Sequence, residues 1–211
     1  TLFLCVRGLG NYKRLGTTID DAVGEAFDKT AKMLGIEFPG GPQIEIYADK
    51  GDPDKYELPK PIFSKGGCNL SFAGLKTAVL KISKQIKSQQ EKSDLAASFQ
   101  KTIEKILYKK SKIAFEEFKK INNMKKNKFV VAGGVAANKK IRRILERLCN
   151  EEDFEAIFPP INLCGDNAAM IAMVGLEKFK LNQFNTLDHP VKPRWSLDED
   201  AIFLKGAGVK L

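Results

Sequence analysis

Three acidic residues near the start of the chain have the spacing of one helix face. Asp21, Glu25 and Asp28 lie three or four positions apart, so a helix would bring their carboxylates to one side, where they could bind a sugar hydroxyl or a hydrated cation. The alternative is an acidic, solvated first turn that interacts with the helix dipole, and we favour it for Asp20 and Asp21. Asp28 differs, because it lies among apolar positions and a carboxylate there needs a partner.

Paired glycines form the second candidate site. Residues 130–138 read as a buried strand that runs into Gly133 and Gly134 and then into a helix. Glycine lets the backbone approach a ligand closely, and free N–H groups at a helix start favour anions. The segment matches neither a P-loop nor a Gly-x-Gly-x-x-Gly fingerprint. Two interpretations therefore stay open, a phosphate or nucleotide cradle and a tight turn that only needs a positive φ.

A glycine pair between prolines is the third candidate. Residues 38–42 read Phe-Pro-Gly-Gly-Pro, and Glu45 follows one turn into the next expected helix. A rigid turn of this kind could support a flat ligand, but an ordinary loop has the same composition. The residues alone favour neither interpretation.

Asp166 is the fourth candidate. It lies directly before a helix of apolar and small residues, where an N-cap is expected. A metal role would need further ligands, and the single histidine of the chain, His189, provides no histidine cluster. The residues alone therefore favour an N-cap.

Composition narrows the class of protein. The 211 residues are 43% hydrophobic, which argues against disorder, and no apolar run approaches the roughly 18 residues of a transmembrane helix. The four cysteines are scattered without Cys-x-x-Cys spacing, which is typical of reduced cytosolic thiols. The net charge of +9 slightly favours an acidic partner such as nucleic acid, although solvated lysine faces are common. Much of that charge lies at residues 109–128 and in the cluster Lys139, Lys140, Arg142 and Arg143.

The hydrophobic pattern predicts the elements that must position these residues. Strands are expected at residues 1–6, 12–15, 129–132 and 155–158, with the second pairing back onto the first. Helices are expected from a cap at Thr17 or Thr18 to residue 34, and at about 43–48, 71–87, 95–121, 138–148 and 167–180. Residues 51–67 and 87–93 are expected as connections. Apolar strands that alternate with helices predict an α/β domain with a parallel or mixed sheet covered by helices.

Six short motifs, taken in order, resemble one family. They are Gly-Glu-Ala-Phe-Asp-Lys at 24–29, Pro-Gly-Gly-Pro at 39–42, Ser-Phe-Ala-Gly-Leu-Lys-Thr at 71–77, Ala-Gly-Gly-Val-Ala-Ala-Asn at 132–138, Asp-Asn-Ala-Ala-Met-Ile-Ala at 166–172 and Pro-Arg-Trp at 193–195. In this order they are similar to the tRNA N(6)-adenosine threonylcarbamoyltransferase family of the bacterial TsaD type, formerly described as a glycoprotease family. The resemblance covers the chain to about Leu197.

The resemblance implies an α/β fold of the actin-like, Hsp-seventy and sugar-kinase-like (ribonuclease H-like) class, with a nucleotide between two lobes. Residues 1–197 would be the C-terminal portion of a two-lobed, ATPase-type enzyme whose N-terminal lobe is incomplete here. Residues 71–122 would be a helical insertion and residues 198–211 a C-terminal tail.

The resemblance also implies an activity and a site. The family transfers the threonylcarbamoyl group from threonylcarbamoyl-AMP to N(6) of the adenosine adjacent to the anticodon, in tRNAs that read codons starting with A. Its nucleotide or substrate contacts fall on Asp28, Gly41, Glu45 and Asn138. Its metal-binding aspartate falls on Asp166, which replaces the N-cap interpretation. No catalytic residue is assigned.

Two motifs of the family are absent. They are the His-x-x-x-His metal motif and the Ser-Gly-Gly-His-Thr loop, of which Thr1 would be the last residue. Asp166 alone cannot hold the implied iron or zinc ion, so we expect this chain by itself to be inactive. The alternatives are a nucleotide-binding scaffold, a degenerate family member without catalysis, and an ATPase of the same fold.

The implied setting is cytoplasmic, with tRNA and threonylcarbamoyl-AMP as substrates and no membrane. In bacteria the resemblance adds a paralogous protein partner and an ATPase subunit.

Overall fold

Six helices and four strands form the part of the chain that a computed structural model describes, residues 1–122, 127–188, 190–191 and 195–201. His189, two residues of the Pro-Arg-Trp motif and most of the expected tail lie outside these ranges. The strands are β1 (Leu2–Gly8), β2 (Asn11–Thr17), β3 (Asn127–Val130) and β4 (Phe154–Ile157). The helices are α1 (Val23–Met33), α2 (Gly40–Ala48), α3 (Ala73–Ser83), α4 (Gln89–Ile121), α5 (Lys139–Glu151) and α6 (Ala168–Lys180).

The strands form two small sheets within the described residues. β1 and β2 make the expected antiparallel hairpin, with Leu2 opposite Thr17 and Cys5 opposite Lys13. β3 and β4 pair in parallel, with Asn127 opposite Phe154. The predicted α/β class and parallel pairing are therefore confirmed. The expectation of one sheet is wrong for the described part of the chain, because the hairpin and the parallel pair share no strand.

The starts of α1 and α2 differ from the prediction because of residues at their boundaries. α1 begins at Val23 instead of following a threonine cap, because Thr18 bridges to Leu70 and Thr17 belongs to β2. α2 begins at Gly40, three residues early. Proline is tolerated in the first turn of a helix, where the N–H groups have no intrahelical acceptor, so Pro42 does not keep this turn out of the helix.

The long helix α4 begins at Gln89, inside the polar segment that was expected as a connection. Ser88 accepts a hydrogen bond from the Glu91 N–H, and the Glu91 carboxylate accepts one from the Ser88 N–H at 3.0 Å. This is a capping box, and the Ser-x-x-Glu spacing that produces it can be read in the sequence.

The core lies around α4, whose inward face was predicted correctly for most of its length. Leu95, Phe99, Ile103, Ile106 and Ala114 are all buried. The helix packs against α2, α3, α5 and both hairpin strands, and its Phe99 ring meets Phe27 of α1 edge-on at 5.1 Å between centroids. The insertion proposed for residues 71–122 stays a prediction.

In the described part of the chain, no helix combines the length and apolar character needed to cross a membrane.

Candidate functional site

A cleft of about 1520 Å³ opens between the hairpin, the starts of α1 and α2, and the segment that leads into α5. Four residues from the sequence-based site line it: Asp28, Gly41, Glu45 and Asn138. The structure thus brings together three separate stretches of sequence. Their ligand stays a prediction.

One oxygen of Asp28 is hydrogen-bonded to the protein, and the other has no partner among the described residues. Its Oδ1 accepts a hydrogen bond from the Gly40 N–H at 2.9 Å, which is the partner that a carboxylate among apolar positions was expected to need. Gly40 packs directly on α1, because a Cβ there would lie 2.6 Å from Asp28 Cα and 2.8 Å from Ala31 Cβ. Asp28 Oδ2 makes no hydrogen bond within the described residues and can accept one from a ligand.

Glu45 connects α2 to the start of α5. Its Oε1 accepts a hydrogen bond from the Lys139 N–H at 2.7 Å. Asn138 caps the same helix, because its Oδ1 accepts from the Ile141 N–H at 3.0 Å. The expectation that free N–H groups at this helix start bind an anion is therefore wrong for these two groups, since side chains already occupy them.

The paired glycines line the cleft next to Asn138. Gly133 has φ of 88°, so a positive-φ turn is confirmed and accounts for glycine at this position. A Cβ on Gly133 or Gly134 would meet nothing within 4 Å. The turn consequently leaves open space above its backbone, which is compatible with a bound ligand.

The acidic residues before α1 are not a solvated first turn, and that prediction is wrong. Asp20 accepts hydrogen bonds from the Ser71 hydroxyl and from the Phe72 N–H, the latter at 2.7 Å. Asp21 forms ion pairs with Lys29 and Lys76. Burial raises the pKa of Asp21, but hydrogen bonds from both lysines outweigh this and hold the pKa below its usual value. These residues attach α1 to α3.

Glu25, the middle residue of the predicted acidic helix face, forms an ion pair with Lys29 instead of converging with Asp28 on a ligand. The hydrogen bonds that Lys29 donates to Glu25 and Asp21 raise the pKa of Lys29, so this lysine stays charged. Of the three carboxylates on the predicted helix face, only Asp28 lines the cleft.

Asp166 is not among the residues that line the cleft. It is exposed, and the N-cap of α6 is its neighbour Asn167, whose side chain accepts from the Met170 N–H at 3.0 Å. The N-cap interpretation of Asp166 is therefore wrong by one residue. No group of three or more His, Cys, Asp or Glu side chains among the described residues could hold a metal ion. The described residues alone thus do not fit a metal centre at Asp166.

Part of the basic cluster is engaged inside the protein. Arg142 Nη2 donates to the Pro159 carbonyl at 2.7 Å and lies 3.1 Å from Cys164 Sγ. Lys140 forms a 2.8 Å ion pair with Asp49. Of this cluster, Lys139 and Arg143 are exposed and Lys140 and Arg142 are half-buried, so the first two are its candidates for contact with an acidic partner.

Sequence reasoning missed two residues that hold the site. Gly40 supplies the N–H that fixes Asp28, and Gln100 bonds the side chain of Asn138. Gln100 could have been found, because it is a polar residue directly after Phe99 on the apolar face of a long helix, and a polar group in that position needs a partner. Nothing in the sequence marks the contact between Gly40 and Asp28.

Comparison with known proteins agrees with the motifs. The sequence model of the family described as TsaD, tRNA N6-adenosine threonylcarbamoyltransferase, matches residues 1–173. A protein of that name from Pelagibacter ubique (strain HTCC1062) is 85% identical over 211 residues, which is 100% of this chain and 59% of the relative. A second, from Rickettsia rickettsii (strain Sheila Smith), is 52% identical over 200 residues, 93% of this chain and 58% of the relative.

A third relative of the same name, from Rickettsia bellii (strain OSU 85-389), is 50% identical over 199 residues, 93% of this chain and 58% of its own length. The chain thus spans a little under 60% of the length of these curated relatives. The match runs through the glycine turn, the cleft residues and Asp166, and on this evidence the chain belongs to the TsaD family of tRNA N6-adenosine threonylcarbamoyltransferases.

Proposed function

We propose that this chain supplies the adenine-nucleotide site of a threonylcarbamoyltransferase that acts on tRNA. The substrate is threonylcarbamoyl-AMP, and the threonylcarbamoyl group goes to N(6) of the adenosine adjacent to the anticodon. The observation that carries the proposal is the convergence of Asp28, Gly41, Glu45 and Asn138 on one cleft. They come from α1, α2 and the turn before α5, so convergence requires the tertiary fold.

The chemistry of the cleft suits a nucleoside monophosphate. Asp28 Oδ2 has no protein partner among the described residues and can accept hydrogen bonds from ribose hydroxyls. Gly41 has no neighbour within 4 Å of an added Cβ position, so a planar group can approach the backbone there. Apolar side chains such as Val23, Phe27 and Val135 supply wall surface for a base. These residues bind and orient the nucleotide.

We further propose that Asp166 contributes one carboxylate ligand to a metal ion, iron with zinc as the alternative. The proposal rests on the position of Asp166 in the family motif, and its remaining ligands are not among the described residues. A metal of this kind would supply Lewis-acid chemistry.

The acceptor in this proposal is tRNA, and Lys139 and Arg143 are exposed beside the cleft-lining segment. We include a paralogous protein and an ATPase subunit as partners, and we place the enzyme in the cytoplasm, where tRNA is modified. An ATPase of the same fold is not favoured, because the relatives carry the name of the transferase.

The nucleotide role can be tested by calorimetric titration of AMP into the intact protein and into the Asp28→Ala variant. We expect the variant to bind at least about tenfold more weakly, because a hydrogen bond to a charged group contributes about 1.5–3 kcal/mol. Asp54→Ala is the matched control, since Asp54 is exposed and pairs with Lys101 away from the cleft. An unchanged dissociation constant in Asp28→Ala would overturn the proposal.

A further inference from the structure

Gln100 is a buried polar side chain on α4, only 1% exposed, and its whole amide group is used in hydrogen bonds. Its Oε1 accepts from Asn138 Nδ2 at 3.0 Å, and its Nε2 donates to Asn138 Oδ1 at 3.2 Å. The second hydrogen of Nε2 goes to Glu104 Oε1 at 2.9 Å. The two amides therefore face each other in a closed, reciprocal pair, with Glu104 at one end.

The orientation of this pair is determined independently at both ends. An ionised carboxylate only accepts hydrogen bonds, so Glu104 requires the NH₂ end of Gln100 to face it. A backbone N–H only donates, so Ile141 requires the oxygen of Asn138 to face α5. Both requirements select the same arrangement. This agreement matters because the two ends of an amide are assigned from their partners and not by shape.

The arrangement leaves Asn138 one group for a ligand. Its Oδ1 already accepts from Ile141 and Gln100, and one hydrogen of Nδ2 goes to Gln100. Within the described residues the second hydrogen of Nδ2 has no acceptor. Asn138 lines the cleft, so it can offer a donor there. A ligand atom that hydrogen-bonds to the Asn138 side chain must then be an acceptor, such as a ring nitrogen of a base or an oxygen of ribose or phosphate.

We infer that Gln100 is a positioning residue of the nucleotide site, which holds the Asn138 amide with its free N–H available to an acceptor atom of the nucleotide. The inference rests on the proposed nucleotide role of Asn138. Gln100 itself is not among the residues that line the cleft, so it acts through Asn138. Without it, the Asn138 amide is held only by the Ile141 N–H, so its NH₂ end can swing about that one bond, and fixing it again on binding costs conformational entropy.

The test is a double-mutant cycle on the intact protein, with AMP as the probe and calorimetry as the measurement. Gln100→Met keeps the side-chain length and removes both hydrogen-bonding atoms. Asn138→Ala removes the proposed contact. We expect each variant to bind AMP about tenfold more weakly, which corresponds to about 1.4 kcal/mol. The double variant should be no weaker than Asn138→Ala alone, because Gln100 has no other route to the ligand.

Controls separate positioning from general damage to the fold. Gln90→Met makes the same change on the same helix, where Gln90 bonds Asp94 and the Lys50 carbonyl, and it should leave AMP binding unchanged. Thermal melting monitors folding of every variant. If Gln100→Met melts below the assay temperature, Gln100→Asn replaces it in the cycle, because its shorter amide cannot reach Asn138 and should weaken AMP binding by the same factor.

The outcomes that would contradict the inference distinguish the nucleotide role of Asn138 from the positioning role of Gln100. An unchanged affinity in Asn138→Ala would overturn the nucleotide role of Asn138, and with it the role of Gln100. A weakened Asn138→Ala beside an unchanged Gln100 variant would overturn the positioning role alone. Additive losses in the double variant would do the same, since they would mean that Gln100 affects binding by some other path.

Discussion

The side chains of the cleft and the side chain of Asp166 are held in position in different ways. In the cleft, Asp28, Glu45 and Asn138 are each bonded to a backbone N–H of another segment or of the helix they cap. Around Asp166 the side chain is exposed, and the helix that follows, α6, has no buried residue. The cleft residues take their positions from the core of this chain. The Asp166 side chain makes no such hydrogen bond within the described residues.

The two helices behind these regions show the same contrast. α4 buries an almost continuous apolar face under the cleft. α6 carries large apolar side chains that stay exposed, among them Ile171 at 66% and Phe179 at 64%. An apolar helix with no covered face is unusual for a soluble surface. The residues that line the cleft are therefore held by the core of this chain, whereas α6, which follows Asp166, buries no side chain among the described residues.

The largest expected effect comes from removing one phenylalanine from each helix. Phe99→Ala on α4 should lower the free energy of unfolding by about 3–5 kcal/mol, because Phe99 is fully buried against Phe27. Phe179→Ala on α6 should cost less than about 1 kcal/mol, since its ring is mostly exposed and contacts only Phe184 edge-on among the aromatic rings described. Urea unfolding of both variants of the 211-residue chain measures the difference. Equal losses would mean that α6 is buried as deeply as α4.

Substitution of the adjacent glycines Gly40 and Gly41 tests which part of the cleft is packed and which part is open. Gly40→Ala should lower the unfolding free energy by about 1–3 kcal/mol, because its Cβ would lie 2.6 Å from the backbone of Asp28. Gly41→Ala should leave stability within about 0.5 kcal/mol, since its Cβ meets open space. If the proposed nucleotide role is correct, Gly41→Ala should weaken AMP binding although it leaves stability unchanged. Unfolding curves and AMP titration of both variants check this. A stable Gly40→Ala variant would contradict the packing described here.

Two neighbouring residues test the Asp166 side. Asn167→Ala should destabilise α6 by about 1 kcal/mol, because Asn167 caps the helix. Asp166→Ala should change stability by less than about 0.5 kcal/mol, since Asp166 is exposed. Circular dichroism and urea unfolding measure both. In the intact protein, metal content measured by elemental analysis should respond the other way: Asp166→Ala should lose metal, and Asn167→Ala should keep it. Equal metal content in the two variants would remove the metal role from Asp166.

The sequence predicted the parts of this molecule that depend on local pattern. The inward face of α4, the hairpin and the parallel pair follow from hydrophobic periodicity, and the motifs led to the correct family. The boundaries at Val23 and Gly40 were missed because tertiary contacts and the tolerance for proline in a first turn decide them. The bond between Gly40 and Asp28, and the one between Glu45 and Lys139, join residues 12 and 94 positions apart. No local pattern encodes such pairings, so they required the fold.

The smallest expected effect is the dependence of stability on pH at the junction of α1 and α3. The pKa of Asp21 is lowered by Lys76 and Lys29 in the folded chain, so its carboxylate stabilises the fold above the unfolded-state pKa. That contribution is lost as pH falls through the lower, folded-state pKa. Asp21→Asn should therefore show a shallower loss of unfolding free energy between about pH 5 and pH 2 than the unaltered chain. Lys76→Met should also reduce the slope of unfolding free energy against pH over this range, because it removes one of the two partners that lower the pKa of Asp21. Urea unfolding at a series of pH values measures all three slopes. Identical slopes would show that the two ion pairs of Asp21 do not distinguish the folded from the unfolded chain, and that α1 and α3 are joined by packing and by the hydrogen bonds of Asp20.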